Sequence, residues 1–87
     1  FLMQQPRLVQ VEPMPDLKIR LYYETHEVKV FDVVPYANGS WYGQLKDEKY
    51  FNSVRLLPDG IGIEWPEGQD IAPHELYENS VSVKKTA

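Results

Sequence analysis

The sequence predicts an α+β domain, an antiparallel meander plus a hairpin, with two or three short helices packed on one face. Three observations carry that reading. "LKIRLYY" (residues 17–23) alternates apolar and polar side chains at the period of two that a half-buried strand requires. Pro58-Asp59-Gly60 separates two apolar runs with the residues a tight turn needs. Pro73, followed by Glu75, has the composition of a helix start, because proline loses nothing at the first helical position and an acid there favours the helix dipole. Strands followed by a helix occur twice, in the order β-β-β-α then β-β-α, which places helices on one side of an antiparallel sheet.

Taken in order, "LVQVEP" (8–13) opens as a strand, with Val9 and Val11 against Leu8, Gln10 and Glu12. "PMPD" turns the chain into the second strand, where Leu17, Ile19, Leu21 and Tyr23 share one face and Lys18, Arg20 and Tyr22 the other. "ETHE" leads to "VKVFD" (28–32), whose Val28 and Val30 are expected to continue the apolar face and whose Lys29 and Phe31 fall beside Arg20. "PYANGS" is a loop. Ser40 is the expected N-cap of a short helix carrying Trp41 and Leu45 on one face, and Asp47 that of a second helix carrying Tyr50, Phe51 and Val54. In the hairpin, Ile61, Ile63 and Trp65 are expected to share a face. "PHELYENS" is the last helix, and Val81 and Val83 can add a short edge strand to an otherwise frayed tail. This reading places a disordered N-terminal end at residues 1–5, a single domain at 6–78 and a C-terminal tail at 79–87.

Composition narrows the function classes. The chain has 87 residues, 43% of them hydrophobic, a net charge of −4 and no cysteine. That excludes a disulfide framework and thiolate metal sites, and points to the cytoplasm. No run approaches the length needed to span a membrane, so no membrane partner is expected. Residues 58–78 hold Asp59, Glu64, Glu67, Asp70, Glu75 and Glu78 with no Lys or Arg. Such an acidic segment argues against direct nucleic-acid binding and suits a basic protein partner.

The N-terminal run "PRLVQVEPMPDLKIRLYYETHEVKVFDVVPY", with "LKDEKYFNSVRL" and "GIGIEWPEGQDIAPHELYE", resembles a small bacterial family classed as a domain of unknown function. Trp65, Pro66, Gly68, Asp70, Pro73, Leu76 and Tyr77 match a W-P-x-G-x-D-[IL]-x-P-x-x-L-Y ending in register. The resemblance implies an α+β fold and no defined activity. Some members carry a helix-turn-helix domain, for which this chain length leaves no expected room, and others pair with small neighbours in a toxin–antitoxin-like manner. Ala72 departs from the pattern, which has a Ser capping the last helix.

Two readings compete for "QDIAPHELYE". In one, Asp70, His74 and Glu75 form an acid–base cluster next to Trp65. In the other, Asp70 accepts backbone N–H groups at a helix entry where Ala72 offers no hydroxyl. The second is preferred, so no catalytic residue is assigned. His26 and His74 stand on separate elements without H-E-x-x-H spacing, so no metal or other cofactor is expected. No G-x-S-x-G elbow or phosphate loop appears. Lys18, Arg20 and Tyr22 form a polar strand face, and Trp65, Asp70, His74 and Tyr77 a second cluster; together they are the candidate binding surface. An aromatic share of 13%, with Tyr22, Tyr36 and Tyr42 expected near the surface, points to protein recognition. The expected function is non-enzymatic protein binding, with the chain itself as partner in a homodimer, or another small protein. One alternative is an antitoxin-like regulator neutralising a basic partner. The other is a small hydrolase or metal enzyme using Asp70 and His74.

Overall fold

The computed structural model describes residues 5–83. The expected disordered N-terminal end lies, apart from Gln5, outside the described residues, as do Lys84 and Lys85 of the tail. Strands β1 (Leu8–Met14), β2 (Lys18–Tyr23) and β3 (Val28–Asp32) form the expected meander. A short α1 (Gly39–Tyr42) and α2 (Glu48–Phe51) follow. Then come β4 (Arg55–Leu56), β5 (Ile63–Glu64), β6 (Asp70–Ile71), helix α3 (Pro73–Glu78) and β7 (Val81–Ser82). Two antiparallel sheets result, in the orders β1-β2-β3-β7 and β4-β5-β6. The fold is α+β. The main sheet takes in Val81–Ser82, past the expected domain end at residue 78.

One core joins both sheets. Ile19, Leu21, Phe31, Leu45, Phe51, Ile63, Trp65 and Leu76 are almost inaccessible and belong to a single cluster. Ile19 opposes Phe31 and Leu21 opposes Lys29, so the inward row of β3 is Lys29 and Phe31, with Val28 and Val30 outward. This reverses the expected facing of β3. The register is fixed by β2, whose Ile19, Leu21 and Tyr23 bury far more apolar surface together than any alternative face. Lys29 is tolerated inside because its ammonium has partners, described below.

β1 also departs from strict alternation. The ladder slips between Leu8 and Gln10, leaving Val9 as an extra residue. Such a bulge shifts the facing by one position. Leu8 is therefore buried and Val11 packs on the core, while Val9 is exposed. The β1–β2 turn uses positive φ at Asp16 and Leu17 rather than glycine.

The helices are shorter than expected. α1 begins at Gly39 behind Asn38, not behind Ser40. At Gly43 it tightens into a 3-10 turn (Gly43–Lys46). The tighter pitch breaks the four-residue spacing, so Leu45 is buried while Trp41 stays 46% exposed. Asp47 does cap α2, its Oδ1 accepting from the Lys49 N–H at 3.2 Å. Pro58–Gly60 forms the expected turn between β4 and β5. Gly62, with φ of 132°, then rotates the chain so that Ile63 and Trp65 point inward and Ile61 outward at 59% exposure.

Candidate binding surfaces

The outer face of the main sheet is set by ladder register. Glu12, Arg20, Val30 and Val81 lie in one row across all four strands. Gln10, Tyr22 and Val28 lie in the row on one side of it, and Met14, Lys18 and Asp32 in the row on the other. Arg20 Nη1 donates to Glu12 Oε1 at 3.2 Å, and the Tyr22 hydroxyl donates to the same oxygen at 2.9 Å. The hydrogen bond with Tyr22, more than the Glu12 charge, raises the Arg20 pKa. Lys18 Nζ lies 3.8 Å from Asp32 Oδ1. Lys18, Arg20 and Tyr22 thus share a face, as the alternation of β2 predicts. Their neighbours on β3 are Val28 and Val30 rather than Lys29 and Phe31. Tyr22, Val28, Val30 and Val81 make an apolar corner beside two ion pairs, and Val81 is 72% exposed.

The residues named in the stretch 65–77 do not form one surface. Trp65 is 0% exposed, so it is removed from the candidate surface. Its indole N–H donates to the Phe51 carbonyl at 3.0 Å and its ring lies 5.7 Å from that of Phe51. Asp70 sits in β6, directly opposite Glu64 on β5. It does not hold the entry of α3: the helix starts behind Ala72 with no side-chain cap. The physical reason is that pairing in β6 holds Asp70 in strand geometry, two residues ahead of the N-cap position at Ala72. His74 is exposed on α3, and no hydrogen bond among the described residues joins it to Asp70. Glu75, the third member of the acid–base reading, accepts a hydrogen bond from the Tyr36 hydroxyl. Burial, followed by that bond, raises the Tyr36 pKa.

Tyr77 belongs to a polar cluster beneath α3 that the sequence did not reveal. Its hydroxyl donates to Glu27 Oε2 at 2.9 Å, and Lys29 Nζ donates to its carbonyl at 2.7 Å. The same ammonium lies 4.1 Å from the Tyr77 ring centre. The hydrogen bond from Thr25, followed by that from Tyr77, lowers the Glu27 pKa. The bond to Glu27 correspondingly raises the Tyr77 pKa. Tyr23 packs edge-on against Tyr77 at 5.2 Å. Its buried hydroxyl has no partner among the described residues, and burial raises its pKa. The long sequence separation of Glu27, Lys29 and Tyr77 hid this cluster.

Gln69 was also missed. It is fully buried, its Oε1 accepting from the Tyr50 hydroxyl at 2.6 Å and its Nε2 donating to the Trp41 carbonyl at 2.8 Å. Tyr50 in turn accepts the Glu67 N–H at 2.8 Å. A polar side chain with both ends used holds the β5–β6 turn against α1 and α2. Between the β1–β2 turn and α2 lies a cleft of about 280 Å³, with Met14, Leu17 and Phe51 as apolar lining and Asp16, Lys46 and Glu48 at its rim. Among the described residues no group of three or more His, Cys, Asp or Glu side chains is placed to hold a metal ion, and no helix is long and apolar enough to cross a membrane.

Fold and surfaces together define a small α+β domain built from a meander and a three-stranded satellite sheet. Residues 8–82 match the family described as "Protein of unknown function (DUF2442)", and the chain belongs to that family. No curated protein and no solved structure matches it significantly.

Proposed function

We propose that this chain is a non-enzymatic protein-binding domain whose first partner is a second copy of itself. The supporting observation is the outer face of the main sheet. Its apolar corner of Tyr22, Val28, Val30 and Val81 lies next to Lys18–Asp32 and Arg20–Glu12, whose formal charges cancel. The whole chain carries −4, so this neutral face is where two copies can meet without like-charge repulsion. A twofold pairing also brings the apolar corners together in the self-complementary manner of dimers.

Sedimentation equilibrium at tens of micromolar tests this. The expected mass is twice 10.2 kDa. Val30→Lys should return the species to monomer while leaving the far-ultraviolet circular dichroism unchanged, because Val30 faces outward. A parent chain that is monomeric at these concentrations overturns the proposal.

A further inference from the structure

The satellite sheet carries a like-charge pair. β5 and β6 set Glu64 directly opposite Asp70. Two carboxylates so placed weaken a strand pair. Arg55 on β4 relieves only one of them, its Nη2 donating to Glu64 Oε1 at 2.6 Å. Asp70 is exposed, and among the described residues its carboxylate takes part in no ion pair or hydrogen bond.

Near the Asp70 backbone, across Tyr42, stands Trp41, 46% exposed although tryptophan is highly buried on average in folded chains. Its position is fixed. Tyr42 packs edge-on against it at 5.2 Å, and the Tyr42 hydroxyl donates to the Asp70 carbonyl at 3.2 Å. Gln69 holds the Trp41 carbonyl from the core side, and a Cβ placed on Gly68 would lie 3.5 Å from Trp41 Cζ2. An ordered, solvent-facing indole therefore stands close along the chain's surface to Asp70, whose carboxylate has no ion-pair partner among the described residues.

We propose that Trp41 and Asp70 form a docking surface for a basic segment of a partner protein. An arginine or lysine side chain lies across the indole, with its charged head at Asp70. Charge complementarity selects this occupant. The segment 58–78 holds acids only, and an apolar or acidic partner would leave the Asp70–Glu64 repulsion in place. The indole adds cation–π attraction, and arginine fits best because its planar group both stacks and pairs with a carboxylate. This surface lies on the satellite sheet, apart from the face proposed for self-association, and serves a monomer equally well.

The probe is an alternating Gly-Arg octapeptide, with a Gly-Glu octapeptide as control, titrated into the ¹⁵N-labelled chain. The two indole N–H signals report separately, because Trp65 is buried and serves as both reference and folding check. The Gly-Arg peptide should move the Trp41 indole and Asp70 amide signals and leave Trp65 in place. Its affinity should fall roughly two- to fivefold in Trp41→Leu, and by a similar factor in Asp70→Asn, with added salt weakening it further. The Gly-Glu peptide should move neither signal. A Trp41 signal unmoved at millimolar Gly-Arg peptide, an equal response to the acidic peptide, or unchanged affinity in both variants overturns the proposal. So does a Trp41 shift that depends on protein concentration alone, since that would make the surface an interface between copies.

Discussion

The meander and the satellite sheet reach order by different means. β1, β2 and β3 are five to seven residues long and pair over most of their length. Their stability comes from a continuous ladder and one buried face. β4, β5 and β6 have two residues each. So short a ladder cannot hold itself. Side chains hold it instead: Trp65 donates into α2, and Gln69 ties α1 to Tyr50. A long strand can absorb a local fault, as β1 absorbs its bulge at Val9. The satellite sheet rests on a few residues with no substitutes.

The largest test of that difference is Trp65→Ala. It should cost about 3–5 kcal/mol in a urea melt, since a fully buried indole leaves a cavity and an orphaned Phe51 carbonyl. Because both sheets share one core, the loss should appear as a single cooperative transition. Amide exchange that releases residues 55–71 while the meander stays protected would show two separable units and break the comparison.

Gly62→Ala comes next, with an expected loss of about 1–3 kcal/mol from its positive φ alone. The added Cβ would also meet the Ile71 carbonyl at 2.6 Å, so β5 and β6 must part. A melt within error of the parent would mean that the satellite sheet is more forgiving than its two-residue strands imply.

A smaller change runs the other way. Ala72 occupies the N-cap of α3 in extended geometry without a side-chain acceptor. Ala72→Ser should therefore gain about 0.5–1 kcal/mol by accepting the His74 or Glu75 N–H. No gain would place the stability of α3 wholly in Leu76 and the contacts beneath it.

The smallest expected effect concerns the joint that ties α3, which follows the satellite sheet, to the meander, where Tyr77 meets Glu27. The Glu27 pKa is lowered below its ordinary 4.5 in the folded chain. Its contribution is thus complete above pH 4.5 and is lost as pH falls through the lower folded value. Glu27→Gln should flatten the acid side of the stability profile in that window and leave neutral pH nearly unaffected. An acid limb identical to that of the parent would remove Glu27 from the joint.

These contrasts also mark what the sequence could express. Period-two alternation in β2 gave the strand and its inward face together. Pro58-Asp59-Gly60, Asp47 and Pro73 announced a turn, a cap and a helix start through local chemistry. β3 misled because Lys29 alternates with valines, and only the position of Tyr77, far along the chain, explains why a lysine can face inward. β6 was invisible at two residues, and so Asp70 looked like a helix cap. Trp41 was expected to share a helix face with Leu45 because nothing local signals the 3-10 turn at Gly43. Of the candidate surface, the Lys18, Arg20 and Tyr22 face was legible, whereas Trp65, which alternation also placed on a shared face with Ile63, belongs to the core. Residues whose environment is made by neighbours in sequence were readable, and those made by distant elements were not.

Lys29 gives the fold a built-in clock. The residue is 9% exposed, and its amine lies between the Tyr77 carbonyl and ring. An amine-acylating reagent reaches the exposed Lys46 and Lys49 directly, but reaches Lys29 only when α3 lifts away. The ratio of acylation at Lys29 to that at Lys49, read by mass spectrometry, therefore times the opening of the last helix without any added label. Whatever clamps α3 to the sheet slows that one modification and spares the others.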